Sequence, residues 1–303
     1  MDLSFGILTM ATPGDFRKAI GLALSLRVSN PGVPIAVACS PKVRSLVAPH
    51  FDIVVDEDPS LRGFVHKIHM DRYSPFEETV FFDSDVLVFK PVLPAIAAWR
   101  AQPYAACGTY MDEADCQRTP ATRTSSFGMD RIRMMRQLGK PSLVVIDGAG
   151  HAYFRKGACA AFFERAREVT REHDTLIGPI PFADEDVVDY VMTEMGLAPM
   201  PEAGFFSRHC SARPGTLELD ARQGACRLVR ADTGLTDHPC MMHFAANEAP
   251  LEYHRQLWRL FRAAGVDTRG LLGEAYHDWY VREVRDRASR WKRRWQGGWG
   301  ATA

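Results

Sequence analysis

The chain has 303 residues, 24% charged and 46% hydrophobic, and its 37 Lys+Arg balance its 37 Asp+Glu. This composition excludes a disordered chain, a collagen-like repeat and a disulfide mini-protein, and a balanced charge gives no reason to expect nucleic acid as partner. The length allows a large buried core in one domain or two. No apolar run reaches the roughly 18 residues that a membrane span needs.

Leu3–Thr9 reads as a first strand, Ala11–Asp15 as a turn with Asp15 as N-cap, and Phe16–Val28 as a helix with apolar residues at helical spacing. Asn30-Pro31-Gly32 stops that helix. Ile35–Cys39 is a short buried strand, Lys42–Val47 a short helix, and Phe51–Val55 a third strand. Such strand–helix alternation argues for an α/β fold with a mostly parallel, doubly wound sheet. Arg62–Tyr73 follows as a helix, then the apolar strand Thr79–Phe82, the tripeptide Asp83-Ser84-Asp85 and the run Val86–Phe89.

Residues 111–140 are polar and basic, and read as a mobile excursion ending in a helix over Met129–Leu138. Leu143–Asp147 and His151–Phe154 read as strands around the turn Gly148-Ala149-Gly150, and Ala158–Glu172 and Glu185–Met195 as helices. Residues 200–240 are irregular, with short strands near Thr216–Leu219 and Cys226–Val229. Cys240–Phe244 is a last strand, and two helical segments, about 251–263 and 271–295, close the chain.

The seven cysteines include no C-x-x-C pair, and the opening residues carry no basic n-region before their apolar stretch. They are therefore expected to be reduced thiols of a cytoplasmic protein. Residues 281–303 hold seven basic and two acidic residues, a net +5 against −5 for the rest. Trp291, Trp295 and Trp299 are spaced by four within that tail, an arrangement that suits the inner face of an anionic membrane, or a helix packing its indoles on the body.

Asp-x-Asp occurs three times, at Asp56/Asp58, Asp83/Asp85 and Asp184/Asp186, but only the Asp83 pair follows a buried strand and precedes another apolar run. Two such carboxylates can share Mn²⁺ or Mg²⁺, which prefer oxygen ligands. Alternatively they form a polar strand end held by backbone donors. His243, ending the run Met241-Met242-His243, can complete a Mn²⁺ site or be a structural histidine. The glycines of Asp147-Gly148-Ala149-Gly150 permit positive φ and close approach to a ligand, or a plain turn. Asp184 and Glu185 open a helix, where acidic residues complement the dipole or face a ligand. Lys67, mid-helix between His66 and His69, reads in isolation as a solvated lysine.

In their order these segments resemble the GT-A glycosyltransferases, most closely the retaining, glycogenin-like family (family 8). Phe5–Thr12 resembles its first strand and nucleotide-binding loop; His66-Lys67-Ile68 through Val80–Val88 resembles its helix lysine and DxD strand. Asp147–Phe154 resembles its Asn-x-Gly segment, Asp184-Glu185 its Asp-Gln, and Met242-His243-Phe244 its metal-ligand histidine strand. The chain departs from the pattern with Gly148 for Asn, Glu185 for Gln, and Ala246–Leu251 in place of Gly-x-x-Lys-Pro-Trp.

The resemblance implies a GT-A domain over 1–250 with a helical extension over 251–303. It implies metal-dependent transfer of a sugar from a nucleotide sugar, a UDP-sugar first, to a glycan, lipid or protein acceptor, with retention. Asp83, Asp85 and His243 would hold Mn²⁺ (or Mg²⁺). Thr9, Ala11, Lys67, Asp83, Ser84, Gly148 and Gly150 would bind the donor, and Asp184 and Glu185 would face its sugar. The competing expectations are a catalytically silent nucleotide-sugar-binding or scaffold protein, and a phosphoryl-transfer enzyme, disfavoured because no G-x-x-x-x-G-K-[ST] loop occurs.

Overall fold

The computed structural model describes residues 2–118, 127–146, 150–178, 182–244 and 250–280. Fourteen strands are described: β1 Phe5–Ala11, β2 Ile35–Cys39, β3 Ile53–Asp56, β4 Glu78–Phe82, β5 Val86–Val88, β6 Tyr104–Ala105, β7 Gly108–Asp112, β8 Ser142–Ile146, β9 His151–Arg155, β10 Phe206–Arg208, β11 Glu218–Asp220, β12 Ala225–Val229, β13 Thr236–Asp237 and β14 Met241–His243. The central sheet runs β3-β2-β1-β4-β9-β6, parallel from β3 to β4 and antiparallel at β9.

Both faces of this sheet are covered, so its strands are apolar on both sides. Side chains alternate across a strand. Ile7, Val37, Val80 and Phe82 therefore join one core cluster, and Leu8, Ala36, Ala38 and Phe81 the other. The first cluster includes the helix Phe16–Ser29 and, from the C-terminal part of the chain, Tyr253, Leu257, Leu260, Phe261 and Leu271. The second includes the helices Ala160–Arg171 and Asp184–Met195. The core is thus continuous across residue 250, where the sequence suggests the domain ends.

A second sheet, β10-β14-β5, sits beside the end of β4. A small antiparallel sheet, β11-β12-β13, occupies part of the stretch read as irregular. The expected excursion at 111–140 is structured where described. β7 pairs antiparallel with β8, the helix Glu113–Arg118 follows it, and the second helix starts at Phe127. The sequence conceals β7 because most of its residues are exposed, so it lacks the apolar alternation that betrays a strand. Gly148, Asp147 and the Trp-rich tail 281–303 lie outside the described residues. No described helix is long and apolar enough to cross a membrane.

Candidate active site

Three strands converge where β4 ends. β9 lies antiparallel to β4 with His151 opposite Phe82, which brings Gly150 to Asp83; the Asp83 N–H donates to the Gly150 carbonyl at 2.9 Å. The chain turns through Asp83-Ser84-Asp85, closed by Val86 N–H to the Asp83 carbonyl at 3.1 Å, and enters β5. β14 pairs antiparallel with β5 with His243 opposite Val86, and Phe244 N–H donates to the Asp85 carbonyl at 3.1 Å. Backbone register alone therefore sets His243 beside Asp85, 158 residues earlier in the chain. The imidazole Nε2 lies 3.1 Å from Asp85 Oδ1 and 3.9 Å from Asp83 Oδ2.

One ligand atom from each of these three residues lies within 4.8 Å of the others, and no other group of three His, Cys, Asp or Glu among the described residues does so. Two carboxylates and an imidazole match the oxygen-rich, borderline chemistry of Mn²⁺, and also accept Mg²⁺. Asp56/Asp58 and Asp184/Asp186 form no such group. Gly150 makes room for His243, because a Cβ there would lie 2.6 Å from His243 Nδ1. The close approach is to His243, at a backbone angle outside the positive-φ set. Gly150→Ala is expected to push the imidazole off the two carboxylates and weaken Mn²⁺ binding by about 10–100-fold, the scale seen when a metal ligand loses its orientation. A Mn²⁺ titration of wild type and variant would measure this, and equal affinities would contradict it.

Lys67 is half-buried, its side chain only 12% exposed, correcting the solvated reading. It stands on a 3₁₀ helix, Gly63–His69, and its Nζ lies 2.8 Å from Asp83 Oδ2 and 3.3 Å from Asp184 Oδ2. Burial alone would depress its pKa, but the Asp184 and Asp83 carboxylates hold it above the ordinary lysine value. Burial, and after it the Asp85 charge, pushes the Asp83 carboxyl up against the pull of Lys67. Burial also opposes the Asp85 charge, yet His243 draws that carboxyl down to about 2. The site is therefore a line of alternating acidic and basic groups, Asp184–Lys67–Asp83–His243–Asp85, in which Asp85 raises the imidazole pKa despite its burial.

A cleft of about 300 Å³ opens beside the Lys67, Asp83 and Asp85 part of this line, lined also by Met10, Thr12, Asp15, Lys18, Glu57, Gly63, Phe64, His66 and Ser84; His243 and Asp184 do not line it. It lies outside the carboxyl ends of β1 and β4, where parallel sheets bind ligands. Phe64, 56% exposed, offers a bare ring at its rim. Of the residues expected to bind the donor, Lys67, Asp83 and Ser84 line the cleft. Thr9 and Ala11 are buried in β1, and their neighbours Met10 and Thr12 line it instead. Asp184 reaches Lys67 from beneath and borders a one-water-sized void of about 10 Å³ with Tyr104 and His151. Glu185 is half-buried and lines neither space.

Sequence reasoning missed several residues. The His151 Nε2 accepts the Cys107 N–H at 2.8 Å, so its ring is neutral, and burial keeps its pKa down to about 3. Tyr253 O–H donates to the Ser84 carbonyl at 3.4 Å from the helix Pro250–Ala263. Lys18 and Asp15 open the helix after β1. Asp15 was read from the sequence only as an N-cap, and the sole sequence signal of Lys18 was proximity to the first strand's end.

The first turn of the helix Asp184–Met195 also buries Asp186, whose Oδ2 has no hydrogen-bond partner among the described residues. Burial raises its pKa from 3.8 to about 6. A carboxyl raised on folding binds more protons folded than unfolded between these values, so stability falls as pH rises through this window. Asp186→Asn is expected to stabilise the protein above pH 6 by at most about 3 kcal/mol, taking about 1.36 kcal/mol per unit, and to do nothing below about pH 4. Thermal denaturation across pH 4–8 would test this; a gain independent of pH would contradict it.

The mostly parallel central sheet, covered by helices on both faces, matches the GT-A fold of solved glycosyltransferases. Among solved structures, the chain is similar to an active-site mutant of LgtC, with TM-score 0.56 and 15% identity over 88% of this chain and 98% of that one. It is also similar to the galactosyltransferase LgtC in complex with donor and acceptor sugar analogues, with TM-score 0.54 and 16% identity over 89% and 99%. The bifunctional glycosyltransferase WbbM matches with TM-score 0.56 and 12% identity over 86% of this chain and 52% of its own. At these identities the likeness is one of fold. No protein-family model matches the chain, and no curated protein does.

Proposed function

We propose that this protein is a metal-dependent glycosyltransferase that moves a sugar from a nucleotide-diphosphate sugar, a UDP-sugar first, to a glycan, lipid or protein acceptor, with retention. The observation that carries this reading is the Asp83, Asp85 and His243 cluster, whose two carboxylates line a cleft of about 300 Å³, in a GT-A fold. Asp83, Asp85 and His243 would hold Mn²⁺ or Mg²⁺, and the bound ion would supply Lewis-acid stabilisation of the diphosphate leaving group. Lys67 locks Asp184 and Asp83 in one geometry, so that neither carboxylate must reorganise when the donor arrives. Asp184 would accept hydrogen bonds from donor-sugar hydroxyls. Glu185 would stabilise positive charge developing at the anomeric carbon, and Gly148 would let the donor approach the backbone, while Gly150 makes room for His243.

The natural glutamate at 185 distinguishes this chain from the family pattern it resembles, which has glutamine there. The LgtC mutant named above carries glutamate in place of an active-site glutamine. A test is release of nucleoside diphosphate from a panel of UDP- and GDP-sugars with Mn²⁺, by wild type and Asp83→Asn. Turnover of one donor, lost in the variant, is expected, and the anomeric configuration of the product, read by NMR, then checks retention. Failure to bind or turn over any nucleotide sugar would overturn the proposal. Binding without turnover would favour the silent binding protein, a reading supported by the absent lysine at Ala246–Leu251.

The protein is further proposed to be cytoplasmic and to touch a membrane peripherally through 281–303. Supporting this, the helix Leu271–Tyr280 leads into that tail with an apolar face turned outward. Leu272, Tyr276, Trp279 and Tyr280, at i, i+4, i+7 and i+8, are 79%, 66%, 37% and 44% exposed. Aromatic side chains beside a basic segment suit an anionic bilayer surface. Flotation with anionic vesicles is expected to carry the full chain and to leave a 1–280 variant behind; identical behaviour of the two would reject the contact.

A further inference from the structure

Four carboxylates line the cleft, Asp15, Glu57, Asp83 and Asp85, and three of them are engaged within the protein. Asp15 Oδ1 accepts the Thr12 N–H at 2.5 Å and the Thr12 hydroxyl at 2.9 Å. Asp83 takes the Lys67 ammonium at 2.8 Å, and Asp85 the His243 imidazole at 3.1 Å. Glu57 differs. Its carboxylate accepts no hydrogen bond from the described residues, although its side chain is only 19% exposed. An ionised carboxylate is an acceptor with about four lone-pair sites, and in a wall largely shielded from water those sites favour a ligand that brings donors.

The fold sets where Glu57 stands. It follows β3, whose end lies on the same edge of the sheet as the end of β4, because the order β3-β2-β1-β4 is parallel throughout. At about 4.8 Å per strand, three strands put it roughly 14 Å along that edge from the Asp83 turn. Its N–H donates to the Cys39 carbonyl at 3.1 Å, which ties it to the end of β2. The next amide, Asp58 N–H, donates to Tyr73 Oη at 3.1 Å, and that oxygen lies 2.9 Å from His66 Nδ1. Burial raises the Tyr73 pKa, so the hydroxyl keeps its proton and directs it at Nδ1. A neutral His66 ring then carries its own proton on Nε2, 3.9 Å from Glu57 Oε2; the other tautomer would set a lone pair against the carboxylate. At that distance the ring orients the carboxylate without filling its lone pairs.

We propose that Glu57 binds the nucleoside end of the donor by accepting hydrogen bonds from two neighbouring donor groups on it. This rests on the nucleotide-sugar reading above, which sets the diphosphate at the Asp83 and Asp85 end of the cleft. Two parts of a nucleoside have that chemistry: the ribose 2′,3′-diol, and the N1–H with the 2-amino group of guanine. Acidic side chains hold ribose hydroxyls in this way in dinucleotide-binding folds. The edge of uracil does not fit, because its one N–H lies between two carbonyls that would repel a carboxylate. A UDP donor is therefore held here by its ribose, and a GDP donor by either group. Phe64, exposed on the same wall, offers a ring face to the base.

The experiment is calorimetric titration of the full chain in Mn²⁺ with UDP, 2′-deoxy-UDP, GDP, 2′-deoxy-GDP and inosine diphosphate, which lacks the 2-amino group. Wild type and Glu57→Gln are compared, with thermal melting as the folding control. The variant should fold, since the Glu57 side chain has no hydrogen bond to a described residue to lose. Glu57→Gln is expected to weaken the nucleotide that wild type binds by about 10–100-fold, the worth of hydrogen bonds to a charged group. If ribose is the partner, wild type prefers the ribose form to the deoxy form by about 10-fold or more, and the variant loses the preference. If guanine is the partner, wild type prefers GDP to inosine diphosphate, and the variant loses that preference instead. Nucleotide binding by wild type with neither preference would overturn the assignment of Glu57 while the donor reading stands. Preferences that survive in Glu57→Gln would overturn it in the same way. If wild type binds no nucleotide, both readings fall.

Discussion

A Lys67→Met variant is expected to lose about 3–5 kcal/mol of stability, the cost of stripping one partner from a buried ion pair. Lys67 touches two carboxylates, and both Asp83 and Asp184 already sit with pKa values raised by burial. Without the ammonium, the half-buried Asp83 and the buried Asp184 lose the cation that both touch, and the melting temperature should fall on the order of 10 °C. The sign of the pH dependence follows. A carboxyl whose folded pKa is raised costs stability above that pKa and nothing once protonated in both states. The gap between wild type and variant should therefore narrow as pH falls toward 4. Melting curves at pH 4.5 and 8 measure this directly. A variant as stable as wild type at pH 8 would mean that Lys67 does not bridge the two carboxylates.

Asp85→Ala is expected to have the largest effect on ligand binding. Loss of an outer hydrogen-bond partner of a metal ligand costs about 10–100-fold in metal affinity, and removal of a ligand should cost about 100-fold or more. The fold should survive, because the Asp85 carbonyl, which accepts Phe244 N–H, is backbone. Free Mn²⁺ followed by electron paramagnetic resonance in the presence of UDP reads the affinity. Wild type should bind and the variant should not, at equal thermal stability. Undiminished Mn²⁺ binding by a folded Asp85→Ala protein would remove the carboxylate pair from the site.

The fold was legible because its central strands are buried on both faces. Ile35–Cys39 is an unbroken apolar run and its bounds coincide with β2; Thr79–Phe82 differs from β4 by one residue. β7, β10 and β13 were not legible, since short or half-exposed strands carry no period to count. Within the site, Asp83 and Asp85 stood out by following a buried strand. Which of the three Asp-x-Asp pairs meets a histidine depends on the β5–β14 register, a pairing across more than 150 residues that no local pattern encodes. Lys67 shows the same limit, since the two carboxylates that make it a buried bridge come from Asp83 and from Asp184, 117 residues onward in the chain.

The central claim is that the cleft over Asp83, Asp85 and His243 takes a nucleotide sugar together with a divalent ion. The measurement that tests it most directly is calorimetric titration of the wild-type chain with UDP and UDP-glucose, with and without Mn²⁺, followed by the GDP counterparts. The account predicts saturable one-to-one binding of one nucleotide series that requires Mn²⁺ and disappears on chelation. Binding that is indifferent to Mn²⁺, or no binding of either series with the ion present, would contradict it.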